Sequence, residues 1–337
     1  MVRGHFNEVE GGFIILHNSK LAFKQKSIVE DMIMTIVIRP GTREDLFDAF
    51  VVFQLALHGL YLRAGLDSPE DKPDAEYLSS AFEYFRTFTD YFAETAEHFW
   101  VAEQEGEIIG FSRSMVRDGI RQLSELFVHP DKQAQGVGKR LLEAAFPADS
   151  THNRVVIGTS DIRAVTRYLK SGVKYRFTIY DWARKPEIVP FETDLSIETF
   201  TPTPENLAIL NSIDQTIIGY TKEMDHIWLS KNRHGHFYRR NGQVVGYSYV
   251  SHRAGPIAML NNNDFHTALA HVESEMTKYV DDVWKNCYLT IPMINTAAVE
   301  YVLQRGYQTS PLLEHFMSDQ PLGQYENYVF MDPPFIT

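Results

Sequence analysis

The segment from Leu123 to Phe146 constrains this chain more than any other, because it places a strand, a turn with two glycines and an amphipathic helix in direct succession. Leu123-Ser-Glu-Leu-Phe-Val128 is a short apolar run broken only by Ser124 and Glu125 and closed by His129-Pro130, the pattern of a buried strand. Val137, Leu141 and Ala145 then recur at four-residue spacing and predict a helix, with Lys139, Arg140 and Glu143 facing solvent and Pro147 ending it. Between them lies Gln133-Ala-Gln-Gly-Val-Gly138.

That turn has a physical use. The first N–H groups of a helix have no internal partner and sit at the positive end of its dipole, so an oxyanion is held there without further machinery. Gly136 and Gly138 carry no Cβ to keep a diphosphate away, and Lys139 and Arg140 add positive charge. Two glycine-loop readings fail. A nucleotide-triphosphate loop needs a glycine where Gln133 stands and a hydroxyl where Arg140 stands. A dinucleotide fingerprint needs a third glycine at Leu141. An ordinary glycine turn stays open as the plain alternative.

The segment resembles the acetyl-CoA loop of the GNAT acetyltransferases, Gln/Arg-x-x-Gly-x-Gly/Ala, matched by Gln133, Gly136 and Gly138 and flanked by Leu126-Phe-Val-His-Pro130 and Leu141-Leu142. Other stretches are similar to the same family. Met34-Thr-Ile-Val-Ile-Arg-Pro40 reads as its opening strand, and His98 to Ser112 as its hairpin, with a turn at Glu105-Gly106 and a close backbone approach at Gly110. The family pattern Asn-x-x-Ala, a Tyr four residues on, then Gly-Phe keeps Ala164, Tyr168 and Gly172 here and departs at Asp161 and Val173. The resemblance implies an α/β fold with a mixed sheet and acetyl-CoA as co-substrate. It implies coenzyme contacts at Phe127, Val128, Gln133, Gln135, Gly136, Val137, Gly138, Lys139, Arg140 and Asp161, with Asp161 lacking the family's side-chain amide.

Composition narrows the class. A chain of 337 residues has room for two domains. A net charge of -12 argues against a nucleic-acid surface, which needs clustered Lys and Arg. The lone Cys287, inside Cys-Tyr-Leu-Thr-Ile, permits no intrachain disulfide or thiolate cluster; it reads as a buried small hydrophobe in a reducing, cytoplasmic protein. The thirteen histidines form no His-Glu-x-x-His pattern, and no metal is expected. Phe13-Ile-Ile-Leu16 is too short for a membrane span, and residues 1–33 read as an N-terminal extension or, alternatively, as an upstream start. Thr42 to Ala96 has helical periodicity, with Phe82, Tyr84, Phe85, Phe88, Tyr91 and Phe92 read as packing between helices or, alternatively, as the lining of an acceptor pocket. In the family the corresponding region shapes the acceptor site, which makes the loop Asp67–Asp74 a place for specificity.

Ala183 to Asp194, with two prolines and no periodicity, reads as a linker. The chain then repeats itself. His236-Phe-Tyr, Gly242 and Gly246-Tyr-Ser248 echo His98-Phe-Trp, Gly106 and Gly110-Phe-Ser112, and Asn295 to Tyr307 echoes Asp161 to Val173. The expected domains are a GNAT domain at 34–187 and a degenerate copy at 195–337. In the copy the cradle is replaced by Met259-Leu-Asn-Asn-Asn-Asp-Phe, with Asp264 expected to cap the helix and repel a diphosphate, and Val302 stands where Tyr168 stands.

The chemistry implied by the resemblance is direct transfer of an acetyl group to the primary amine of a small molecule or peptide. An alkylammonium has a pKa near about 10 and must lose a proton, for which Glu125 is the candidate base. Tyr168 is the candidate acid for the departing thiolate, and the N–H of Phe127 or Val128 would polarise the thioester carbonyl. A non-catalytic acyl-CoA sensor or scaffold is the alternative. No nucleic-acid or membrane partner is expected, and either a monomer or a homodimer is compatible.

Overall fold

After β1 (Val37–Pro40) come three helices, α1 (Leu46–Ala64), α2 (Ala75–Tyr84) and α3 (Arg86–Thr95), before β2 (Ala96–Gln104) returns to pair antiparallel with β1. The structure, a computed structural model, describes residues 35–149, 152–280 and 285–331, so the expected extension 1–33 lies outside the described residues. Thr42 and Asp45 form a reciprocal capping box on the turn that leads into α1. β2 turns tightly into β3 (Glu107–Arg117) through Glu105 and Gly106, both at positive φ (56° and 83°), the geometry whose twist matches a two-residue hairpin. β4 (Ile120–Val128) follows antiparallel to β3, and α4 (Val137–Ala145) covers the return to β5 (Asn153–Thr159). Val137, Leu141 and Ala145 are all buried, as the four-residue spacing predicts, each large apolar side chain contributing about 1.5–3 kcal/mol. Next come α5 (Ile162–Lys170) and β6 (Lys174–Arg184).

The second half runs through nearly the same order, with two helices rather than three after its first strand and one short strand added at its end. β7 (Ser196–Phe200), α6 (Pro204–Ile217) and α7 (Glu223–Asn232) precede β8 (His234–Arg240), β9 (Gln243–Val250) and β10 (Ala254–Met259). Then follow α8 (Phe265–Met276), β11 (Cys287–Pro292), α9 (Thr296–Arg305), β12 (Gln308–Ser318) and a short β13 (Tyr328–Val329). Asn241 and Gly242 turn β8 into β9 with positive φ, as Glu105 and Gly106 do in the first half.

The halves interlock. One sheet has the order β1-β2-β3-β4-β5-β12-β6-β11, and the other β13-β10-β9-β8-β7. β12 inserts between β5 and β6, antiparallel to both, and β6 lies between β12 and β11. β6, the last strand of the first half, therefore takes both of its neighbours from the second. Alternation buries Phe177 and Ile179 on one face of β6, with the Phe177 ring stacked 4.7 Å from Phe316 of β12, but alternation says nothing about which strand lies alongside.

Gaps beside β4 and β10 are treated differently. β4 and β5 pair in parallel only from Ile120↔Asn153 to Leu123↔Val156 and then diverge. In the second half β13 occupies the corresponding place, paired with β10 through Ile257↔Val329 and Ala258↔Tyr328 and bridged to β11 at Thr290–Phe330. Tyr328, Val329 and Phe330 are completely buried there. Asp264 does not cap α8 as expected; its carboxylate binds Arg240 at 2.8 Å, because that guanidinium on β8 lies within reach. Val302 is buried, and Cys287 is buried beside Met276.

Candidate active site

Divergence of β4 from β5 opens a cavity of about 1460 Å³. One wall is Leu123 to Val128 of β4, the other Val156 to Thr159 of β5, and α1, α2, α5 and β12 complete it. Strand geometry decides which backbone groups face in. His129 N–H donates to Ile109 on β3 and Phe127 lies opposite Phe111, so Phe127 turns its amide toward β3. The two-residue alternation then turns the amides of Leu126 and Val128 toward the opening. Of the two N–H groups expected at the thioester, Val128 is on the cavity side and Phe127 is not.

At one end of the cavity the cradle has the expected form. Gly136 sits at φ 82° as the N-cap of α4, a left-handed conformation glycine adopts without strain, and an added Cβ would meet nothing within 4 Å. The N–H groups of Gln135, Gly136, Val137 and Gly138 have no hydrogen-bond partner among the described residues. Those of Lys139 and Arg140 are taken by the Gly136 carbonyl at 3.1 and 3.2 Å. Gly136 and Gly138 line the cavity, whereas Gln135 is exposed and the Val137 side chain is buried in the core.

The cradle's positive charge does not come from Lys139 and Arg140. Lys139 extends along the helix surface to Glu143 at 3.7 Å, and Arg140 reaches back to the Ile36 carbonyl at 2.9 Å, because both lie on the solvent face of α4. Arginines of α5 supply it instead. A Cβ on Gly138 would lie 2.9 Å from Arg167 Nη1, and Arg167 makes no ion pair or hydrogen bond among the described residues. Arg163 donates to Gln133 Oε1 at 3.1 Å while Gln133 Nε2 donates to the Val128 carbonyl at 3.1 Å, so the Gln133 side chain ties the strand end to α5. Asp161 caps α5 and pairs with Arg163 (2.7 Å) and Arg63 (3.1 Å); the Arg163 hydrogen bond holds its carboxyl well below the usual range. Arg163 and Arg167, four residues apart on the helix that carries Ala164 and Tyr168, were the signal available in the sequence for these cations.

Glu125 and Tyr168 both line the cavity. Glu125 Oε2 accepts from Arg113 Nη1 at 2.7 Å, and Oε1 has no partner among the described residues. The side chains are 11% and 3% exposed respectively. Burial pushes the Glu125 carboxyl above the ordinary range, with the Arg113 charge opposing that rise. Arg113 in turn lies over the Phe99 ring at 4.3 Å. Tyr168 is 7% exposed, packs over Gly158, and has a hydroxyl with no partner among the described residues; burial pushes it up to about 12.

The far end of the cavity was not foreseen. Tyr84, Phe85 and Phe88 line it, while Phe82, Tyr91 and Phe92 are buried packing, so part of the aromatic run faces the cavity and part fills the core. Gln54 and Tyr61 of α1, Asp181 of β6, and Gln308, Thr309, Ser310, Leu312 and Glu314 of β12 also line the cavity, so both halves of the chain contribute to it.

Comparison with known proteins agrees with this geometry. The family model for the acetyltransferase (GNAT) domain matches residues 95–172, the stretch from β2 through the cradle to the end of α5. No curated protein matches by sequence. Among solved structures, an acetyltransferase candidate from Pyrococcus horikoshii superposes with a TM-score of 0.62 at 14% identity, covering 93% of this chain and 96% of its own. A GCN5-related N-acetyltransferase from Sphaerobacter thermophilus gives 0.56 at 13% identity, covering 85% and 96%. A tandem GNAT protein from the clavulanic acid biosynthesis pathway gives 0.56 at 14% identity, covering 85% and 99%. The likeness runs over both halves: the chain has the fold of these GNAT proteins, and its residues 95–172 match the model of the GNAT acetyltransferase domain.

Proposed function

We propose that this protein is an acetyl-CoA-dependent N-acetyltransferase that moves an acetyl group directly to a primary amine, with catalysis confined to the first half. The observation that carries the reading is the open strand gap whose end is the N-terminus of α4, where the amides and the Arg167 guanidinium over Gly138 have no partner among the described residues. The amides of residues 135–138 with Arg167 would hold the coenzyme's diphosphate, and the coenzyme supplies an activated acyl thioester. In the second half β13 fills the equivalent gap, which supports a single site.

Each chain residue then has a defined task. Glu125 Oε1 takes a proton from the acceptor ammonium, directly or through a water, a role suited to a carboxyl raised by burial. The Val128 N–H donates to the acyl oxygen as negative charge grows there. Tyr168 stays protonated at neutral pH. Burial pushes the Tyr168 hydroxyl up, above the ordinary thiol value of about 8.5, which disfavours full proton transfer to the thiolate. Tyr168 therefore donates a hydrogen bond to the leaving sulfur, and the net proton comes from the amine.

Calorimetric titration with coenzyme A and acetyl-CoA tests the reading, together with Gly138→Val, whose side chain would displace Arg167 and crowd the cradle. Binding by the wild type and a loss of about tenfold or more in the variant, roughly 1.4 kcal/mol, are expected. A wild type that does not bind the coenzyme overturns it. A protein that binds acetyl-CoA but releases no thiol with any amine would be the sensor instead.

A further inference from the structure

A bulge in the β3–β4 hairpin decides which side chain of β3 meets Glu125. Ser114 lies opposite Leu123, so an unbroken antiparallel ladder would set Arg113 opposite Ser124. The shift between Arg113 and Ser114 leaves Ser124 as the extra residue and brings Glu125 opposite Arg113 instead. On the other side of β3, Phe99 of β2 lies opposite Arg113. Phe99, Arg113 and Glu125 therefore form one row across three strands, with their side chains on one face.

That row contains a charge that folding alone does not favour. Arg113 is 2% exposed, and its guanidinium lies over the Phe99 ring at 4.3 Å and the Phe111 ring at 5.6 Å. Glu125 Oε2, at 2.7 Å, is its one hydrogen-bond partner among the described residues, and its Nε is buried with none. Replacing a buried ion pair by apolar side chains is often neutral or stabilising, so a buried guanidinium with an unmet donor implies a use beyond stability. In the second half the pair is gone. Gly246-Tyr-Ser248, the echo of Gly110-Phe-Ser112, continues into Tyr249 where Arg113 stands, and β10 carries no carboxylate, so arginine, base and cradle are missing together.

The contact fixes one oxygen of Glu125 and leaves Oε1 without a partner among the described residues. Burial pushes the carboxyl toward its protonated form, which accepts no proton, and the Arg113 charge and hydrogen bond oppose that. Arg113 is the only charge acting on it among the described residues. Arg63, Asp161, Arg163, Arg167, Asp181 and Glu314 line the same cavity without doing so, and Tyr168 stays neutral.

Resting on the transferase reading above, we infer that Arg113 is a positioning residue for the base: set in register by the bulge and packed on the Phe99 and Phe111 rings, it grips Glu125 by one oxygen and leaves the other to the acceptor nitrogen. The proton passes from the acceptor ammonium to Glu125 Oε1 and the nitrogen keeps the lone pair that attacks the thioester. Arg113 acts only through Glu125.

Carbon-13 NMR of protein labelled at glutamate Cδ reads the carboxyl directly, followed against pH at the resonance that disappears in Glu125→Gln. Arg113→Met should raise its midpoint by about 1–3 units, the effect of one close opposite charge, and Arg113→Lys, which keeps the charge, should return it to within about half a unit of wild type. In steady-state kinetics with acetyl-CoA and a primary amine, the acid limb of kcat/KM should move to higher pH by the same amount in Arg113→Met. Its kcat at neutral pH should fall about tenfold or more, with the calorimetric coenzyme Kd within about twofold of wild type. A merely structural arginine would lower Tm and leave midpoint and limb in place, and that result overturns the inference alone. Should Arg113→Met fail to fold, Arg113→Gln, which keeps a donor but no charge, should show a shift of the same sign, and an unmoved midpoint in it also overturns the inference. Should the coenzyme bind but no amine be turned over, the NMR midpoint decides: a rise in Arg113→Met supports the positioning role, and no rise overturns it. A wild type that does not bind coenzyme A removes the transferase reading and, with it, the role given to Arg113.

Discussion

Replacing Glu125 by glutamine separates a catalytic carboxylate from a structural one, provided its cost to folding is handled. The carboxylate and Arg113 sit 2.7 Å apart, 11% and 3% exposed, so glutamine leaves a guanidinium buried without a counter-charge. Breaking a buried pair costs about 3–5 kcal/mol, and the amide oxygen can still accept one hydrogen bond, which places the loss near the lower end, about 3 kcal/mol. At roughly 2–4 °C per kcal/mol for a chain of this size order, Tm should fall by about 6–12 °C. Arg113→Met/Glu125→Gln removes the orphaned charge and sets a flexible thioether against the Phe99 and Phe111 rings that the guanidinium now covers, so Tm should recover to within about 3 °C of wild type. Activity should not recover. Loss of a general base lowers kcat by about 10²–10⁴-fold in both variants, read by thiol release under saturating coenzyme at a temperature well below either Tm. The pH profile gives a second reading. Burial raises the Glu125 carboxyl, so the wild-type kcat/KM should fall as acid protonates it at a pH above the ordinary carboxylate value of about 4.3, and that limb should vanish in Glu125→Gln. A single variant that keeps kcat within about threefold, or a double variant that regains kcat together with Tm, refutes the assignment and leaves Glu125 as the partner of Arg113 alone.

Tyr168→Phe should behave in the opposite way to Glu125→Gln. Its hydroxyl has no partner among the described residues, so Tm should stay within about 2 °C while kcat falls roughly 10–100-fold, the worth of one hydrogen bond to a developing charge, measured by thiol release. Asp225→Asn tests the join between the halves: the completely buried carboxylate accepts from Arg117 at 2.9–3.1 Å and from the Tyr91 hydroxyl, so its loss should cost about 3–5 kcal/mol and lower Tm by roughly 6–20 °C in a thermal melt.

What the sequence made legible was what is local. Strand, glycine turn and helix from Leu123 to Ala145 follow from neighbours a few residues apart, and so do both positive-φ hairpin turns and the loss of the glycines in the second copy. Charge placement failed because it is not local: Lys139 and Arg140 adjoin the cradle in sequence but lie on the outer face of α4, whereas Arg167 arrives from another helix to lie against Gly138. Parity along β4 likewise decides between the Phe127 and Val128 amides, and that parity depends on a bulge between Arg113 and Ser114 that no residue pattern announces. Gln54, Asp181 and Glu314 were out of reach for a stronger reason. Each sits in an unremarked position of its own element, and only the folded chain places all three in the lining of one cavity, Glu314 because β12 crosses into the first half.

That crossing explains why a half without a cradle is kept. Without β12, β5 and β6 would lose their common neighbour, and the ladders at Ile157↔Phe316 and Phe177↔Phe316 would become two open edges carrying the buried Val155, Val156, Phe177 and Ile179. The first half thus depends on the second for its sheet and for one wall of its cavity. The second half depends on β6 for a neighbour to β11, and on its own β13 to fill the gap that the first half leaves open. A repeated fold arranged in this way can lose the cofactor chemistry of one copy and retain every strand of it, because the strands complete the sheet around the site that remains.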